Sequence, residues 1–441
     1  MNRFFLILLS LIIVKYNNAN NTDSITKKLS MLAEKDLFNG NVVLIKSGKV
    51  IYNQAFGYRD PINRDRMTTE ALYKIGSITK TFTAAIILDL IERKKLSLFT
   101  TLDNYFPEVH NSRRITIEMM LRHRSGIHSY TDDEKYQEYY STPIDKNHIL
   151  NKIISYPSDF EPDEKYSYSN SNYFLLAWIA EKASGRPYCD LIRGMLSGKA
   201  LRSLRCCMGT CRDTALASYE KMDTTWKKST ETFMNVAFGA GNLVSSAGSV
   251  AMFYDRLFSQ HKIIKPKQVN LMTSFRENVG MGVFQIPFYK KTGYGHTGGI
   301  DAFRSIAVYF PEDDLTMVLL SNSLTEISLN DIAIGVLSAH FNISHEFSLP
   351  GSHFPDSEIL DACVGEYKTK DIPLEITIYR ESNALYLQAT GQPAIKLRSE
   401  SDLRFVFNPA GVVVEFIDLR DNKYSGFILE QGGYRFQFYR K

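Results

Sequence analysis

Hydrophobic positions change their period along this chain, and each change marks an element. Short apolar runs parted by turn residues come first: Val42 to Ile45, then Ser47-Gly48-Lys49, then Val50 to Tyr52, closing at Gly57. That pattern predicts a β-hairpin. From Ser77 to Leu88 the chain reads Ser-Ile-Thr-Lys-Thr-Phe-Thr-Ala-Ala-Ile-Ile-Leu, with Lys80 its only group able to carry charge. A helix apolar on every side is a buried one, so a buried helix is predicted from Ser77 to about Arg93, where Arg93-Lys94-Lys95 suits a helix C-terminus. Further helices are predicted over Thr116 to Leu121, over Tyr173 to Ala183 with Ser184-Gly185-Arg186-Pro187 as the stop, and over Ala247 to Phe258. Strands return at Gly295 to Tyr309 and Leu315 to Leu320 around the turn Pro311-Glu312-Asp313-Asp314. Strand, helices, strands describes one α+β domain.

Past Leu349-Pro350-Gly351-Ser352-His353-Phe354-Pro355, whose composition is that of a linker, the pattern becomes strict alternation. Leu374, Ile376 and Ile378 share one face, as do Leu385 with Leu387, Val412 with Val414 and Phe416, and Tyr434 with Phe436 and Phe438. About six short strands are predicted there, a small antiparallel barrel or sandwich, the barrel being preferred. The organisation read from the sequence is therefore an α+β domain over 23–348, a linker over 349–355 and a β-barrel over 356–441. Before them, Arg3 precedes an apolar run from Phe4 to Val14 interrupted only at Ser10, too short to span a bilayer. Residues 1–19 are read as a secretory signal peptide, which predicts an exported, periplasmic or extracellular protein that meets the membrane only through this transient segment.

Composition narrows the chemistry. Lysine plus arginine total 52 against 48 acidic residues, with no dense basic tract, so nucleic acid is not an expected partner. Five cysteines leave at least one thiol unpaired. The cluster Cys206-Cys207-Met208-Gly209-Thr210-Cys211 has no nearby histidine and matches no zinc spacing. The cluster is not read as a metal site.

Lys80 carries the first chemical signal. Burial disfavours an ammonium and lowers its pKa, and residues i and i+3 share a helix face, so a neutral Lys80 amine can reach the Ser77 hydroxyl. Serine becomes a nucleophile when a neighbouring base takes its proton. Two other segments bear chemistry. In Tyr166-Ser167-Tyr168-Ser169-Asn170, Tyr168 and Asn170 project the same way if the stretch is extended; a phenol shuttles protons when cations lower its pKa, and an asparagine amide both accepts and donates. In Gly295-His296-Thr297-Gly298-Gly299-Ile300, glycines let a substrate backbone approach closely.

Together these segments resemble the serine β-lactamase and penicillin-binding protein superfamily, in its class C-like branch (peptidase family S12) of DD-peptidases, D-aminopeptidases and esterases. Its three motifs stand in family order as Ser77-Ile78-Thr79-Lys80, Tyr168-Ser169-Asn170 and His296-Thr297-Gly298. Phe38-Asn39-Gly40, Leu121-Arg122-His123-Arg124-Ser125-Gly126-Ile127 and Leu243-Val244-Ser245-Ser246-Ala247 extend the likeness, and the C-terminal module resembles lipocalin-like domains. The resemblance implies a serine hydrolase with Ser77 as nucleophile, Lys80 as its proton acceptor and Tyr168 as the second proton-transfer group. It further implies Asn170 holding a substrate amide, the segment His296-Thr297-Gly298 lining the substrate, and an oxyanion hole from the backbone N–H groups of Ser77 and Gly299. The implied substrate is a D-amino-acid peptide, a β-lactam or an ester, and the resemblance implies neither a metal nor an organic cofactor. A carboxylesterase and a penicillin sensor that stays acylated remain open.

Lys291-Thr292-Gly293 also occurs, five residues before His296. An odd offset along a strand puts the two on opposite faces, so only one lines the site, and His296 is the choice because Gly299, Phe303 and Ser305 continue the family pattern.

Overall fold

The computed structural model describes residues 21–441 apart from 196–202, 212–213, 223–224, 346, 348–354, 372–373, 383, 391, 393, 408–410 and 432–433. The secretory segment and all but the last residue of the linker lie outside the described residues. No described helix is long and apolar enough to cross a membrane. The chain forms two compact units, residues 29–324 and residues 325–441 taken with the segment up to Lys28.

The first unit is built on a six-stranded antiparallel sheet. Its strands are β1 (Gly40–Lys46), β2 (Lys49–Phe56), β3 (Phe284–Phe288), β4 (Lys291–Ile300), β5 (Phe303–Phe310) and β6 (Leu315–Ser321), in the order β3-β4-β5-β6-β1-β2. The N-terminal hairpin thus completes a sheet begun almost at the other end of the unit, with Val42 opposite Leu319 and Leu44 opposite Met317. Every residue of β6 is buried, as expected for a central strand covered on both faces.

Helix α1 (Thr79–Glu92) is buried from Thr79 to Leu88 and packs against α2 (Asn170–Ser184). Its threonines are satisfied internally: Thr81 Oγ1 donates to the Gly282 carbonyl at 2.8 Å and Thr83 Oγ1 to the Gly239 carbonyl at 2.7 Å. A third helix, α3 (Ala247–Tyr254), packs against β1, β5 and β6. Three departures from the predicted bounds bear on the site. Ser77 sits in a 3-10 turn, Gly76–Ile78, ahead of α1. Asn170 already belongs to α2, so the stretch holding Tyr168 and Asn170 is not extended throughout. The strand expected from Gly295 to Tyr309 is two strands, because Asp301 turns the chain with φ +51°.

Among its described residues the second unit holds nine antiparallel strands rather than six, several of them too short to show alternation. The edge strands of this sheet are Ile395–Lys396 and Arg398–Ser399, separated by Leu397 alone. Edges joined by one residue must lie side by side, so the sheet curls into a nearly closed barrel. Its interior is apolar: Ile376, Ile378, Phe405, Phe416, Phe427 and Phe438 are all buried in one cluster.

Candidate active site

Glycines press the Ser77 turn against β4. Gly76 has φ +51°, a conformation that favours glycine, and a Cβ there would lie 2.8 Å from the Gly299 nitrogen. A Cβ on Gly298 would fall 2.3 Å from both the Ile75 carbonyl oxygen and Ser305 Oγ, and 3.0 Å from the Ser77 nitrogen. Ser305 Oγ donates to the same Ile75 carbonyl at 2.8 Å, tying β5 to the turn. The Ser77 and Gly299 backbones are thereby adjacent.

Lys80 Nζ lies 2.9 Å from Ser77 Oγ, 2.8 Å from Asn170 Oδ1 and 2.8 Å from the Ala240 carbonyl oxygen. Burial pushes its pKa well below the usual lysine value. A neutral amine has two hydrogens and one lone pair. Asn170 Oδ1 and the Ala240 carbonyl can only accept, so they take both hydrogens and leave the lone pair facing the serine hydroxyl. Asn170 is held in that sense because its Nδ2 donates to Thr131 Oγ1 at 2.9 Å and its backbone N–H to Ser129 Oγ at 3.1 Å.

Tyr168 Oη donates to Ser77 Oγ at 2.9 Å. Burial raises this phenol's pKa above the tyrosine range, with the Ser77 hydrogen bond opposing. The nearest cation candidate, Lys80, 5.0 Å from the ring centroid, is itself driven toward neutrality. Tyr168 is therefore a protonated phenol, and the protons are ordered in one sense: tyrosine to serine, serine to lysine.

His123 stacks on Tyr168 with centroids 4.4 Å apart and accepts the Ser169 N–H at Nδ1 over 3.1 Å. Burial, then Lys80, hold its pKa well below normal. Sequence reasoning assigned it no role, although it lies in the Leu121–Ile127 segment; the carbonyl of Ala240 carried no signal at all. His296 is buried beside Tyr168, centroids 6.3 Å apart. Its Nδ1 donates to the Thr297 carbonyl, and burial with Lys80 brings its pKa down to about 3. It is a neutral imidazole whose Nε2 is a bare acceptor. Thr297 faces the other way and is exposed, as is Gly299. Lys291, five residues before His296 along β4, is engaged by Asp313 at 2.9 Å.

Ser77, Asn170 and Gly299 open onto a cleft of about 600 Å³, walled on one side by Tyr136 and Tyr140. Tyr168 and His296 are not in its lining.

The cysteines are placed away from this chemistry. Cys189 pairs with Cys206 and Cys207 with Cys211, while Cys363 is a buried free thiol in the barrel.

Known proteins define the class. Residues 30–336 match the Beta-lactamase family, and the chain belongs to it. It is a serine hydrolase of the β-lactamase and penicillin-binding-protein type. It is 26% identical to penicillin-binding protein 4* of Bacillus subtilis (strain 168), over 91% of this chain and 95% of that protein. It is 22% identical to the teichoic acid D-alanine hydrolase of Staphylococcus aureus (strain MRSA252), over 69% of this chain and 75% of the relative. Among solved structures, the D-amino acid amidase of Ochrobactrum anthropi SV3 shares the fold with a TM-score of 0.64, at 21% identity over 73% of this chain and 99% of the amidase.

Proposed function

We propose that this hydrolase cleaves amides or esters of D-amino acids through an acyl-enzyme on Ser77. The observation that carries the reading is the convergence of Lys80 Nζ and Tyr168 Oη on Ser77 Oγ, each at 2.9 Å. Ser77 Oγ attacks the substrate carbonyl carbon while its proton passes to the Lys80 lone pair. The Ser77 and Gly299 N–H groups hold the oxyanion. Tyr168 protonates the departing amine or alcohol and is left a phenolate beside the Lys80 ammonium. A water, giving its proton to the Tyr168 phenolate, then attacks the ester carbon, and Ser77 Oγ takes its proton back from Lys80 as it leaves. The D-amino-acid preference rests on the relatives, two of which are named for D-alanine or D-amino acid hydrolysis.

His296 favours an amide or ester over a β-lactam. Where many relatives of this branch carry a lysine for a substrate carboxylate, this site has a neutral imidazole with a pKa of about 3, which offers an anion no charge. Intact mass measured after mixing with D-alanine p-nitroanilide, a D-alanyl ester, a penicillin and nitrocefin tests the reading. A transient Ser77 adduct with the first two, absent in Ser77→Ala, is expected; a long-lived penicillin adduct alone would replace it with a sensor. Export through residues 1–19 belongs to the same reading, and N-terminal sequencing of secreted protein checks it.

A further inference from the structure

The cleft beyond Ser77 holds a cation the reaction does not use. Arg304 stands directly opposite Gly299 across β4 and β5, and a Cβ on Gly299 would lie 3.3 Å from its Nη1. Its guanidinium lines the cleft that Ser77 opens onto. Nη1 donates to the Phe303 carbonyl at 2.7 Å and the Asp301 carbonyl at 3.2 Å, which fixes the fork. Nε and Nη2 have no partner among the described residues. Two acids act on the guanidinium, Glu220 before Asp301, and the Asp301 carboxylate is already engaged: it accepts from Lys74 at 2.7 Å and from the Thr232 N–H and hydroxyl at 2.9 and 2.7 Å. Glu220 and Lys227 also line the cleft, and Glu220 accepts from Ser229 Oγ at 2.9 Å.

Charge is thus divided about Ser77. Tyr168 and His296, on the side where the leaving group must collect its proton, present no cation. Arg304 lies in the cleft, where the acyl portion must sit if the leaving group faces Tyr168. We propose that Arg304 is a specificity-determining residue that binds a carboxylate on the acyl portion of the substrate, making the preferred substrates acidic N-acyl D-amino acid amides or esters. This rests on the reading of Ser77, Lys80 and Tyr168 given above. An arginine with two donors to spare matches a carboxylate in a fork geometry, and a charged hydrogen bond of this kind is worth about ten- to a hundredfold in recognition.

The test uses one leaving group and two acyl groups: N-acetyl-D-alanine p-nitroanilide and N-succinyl-D-alanine p-nitroanilide. In the wild type the succinyl compound is expected to have a kcat/KM about ten- to a hundredfold higher, carried by KM and diminished by salt. In Arg304→Gln the ratio falls to about one. A ratio near one in the wild type, or a ratio kept in Arg304→Gln, overturns the proposal while hydrolysis lost in Ser77→Ala leaves the reaction intact. Calorimetry on Ser77→Ala with N-succinyl- and N-acetyl-D-alaninamide reads the same subsite without turnover. Equal affinities there overturn the subsite, and tighter succinyl binding beside failed turnover of both anilides overturns only the reaction.

Discussion

Two antiparallel sheets of this molecule bury very different things. The barrel of residues 365–440 packs aromatic and aliphatic side chains, with Phe427 and Phe438 stacked 5.1 Å apart at its centre. The hydrolase unit buries Lys74, Lys80, His123, His296 and Asn172 as well as its apolar core. Some of those polar atoms, among them His123 Nε2 and His296 Nε2, have no hydrogen-bond partner among the described residues. Desolvating such groups opposes folding. The barrel shows what a sheet buries when only packing is required; the hydrolase unit shows what is retained when chemistry is required as well.

Lys80→Met separates the two demands most widely. It should cut turnover by about a thousandfold or more, while the melting temperature changes little, because loss of a desolvated amine offsets the two carbonyl acceptors left unpaired. Activity surviving in that variant would break the comparison at its centre. Phe427→Ala should do the opposite, lowering stability in denaturant melts by about 3–5 kcal/mol while protein that remains folded keeps its turnover. Lost turnover in folded protein would bring the barrel into the reaction. Tyr168→Phe should slow turnover about a hundredfold with little change in melting, seen in steady-state rates beside a thermal scan.

Acid sharpens the contrast further. The folded pKa of His296 is about 3 against 6.5 when unfolded, and that of His123 is also depressed. Between those values the unfolded chain binds the proton and the folded chain does not. Stability is therefore full above pH 6.5 and is lost as pH falls toward 3, by about 1.4 kcal/mol per pH unit for each histidine. His296→Gln should flatten that slope in melts taken at successive pH values, and an unchanged slope would contradict the burial argument.

Much of this site was legible because its signals are local. A lysine alone in an apolar run, three residues from a serine, states burial, helix face and base together. Tyr168, Asn170 and His296 became candidates only through ordered resemblance, since nothing in a single chain connects residues so far apart. The Ala240 carbonyl, which orients the Lys80 lone pair, is a backbone atom and leaves no mark in residue types. Nor does residue type state the ionisation of Tyr168: a phenol is lowered only beside a cation, and the burial that makes Lys80 a base removes that one. In the fold, the alternation of Val412, Val414 and Phe416 announced the barrel, while two-residue strands such as Ile395–Lys396 are too short to have a period.

Leu397 has a consequence for the protein's behaviour in crowded surroundings. Unpaired strand borders are templates on which foreign chains add and aggregates grow. By setting the first and last strands of the barrel one residue apart, the chain leaves hardly any such border on this unit, so self-assembly through the barrel would have to use side chains instead of backbone ladders.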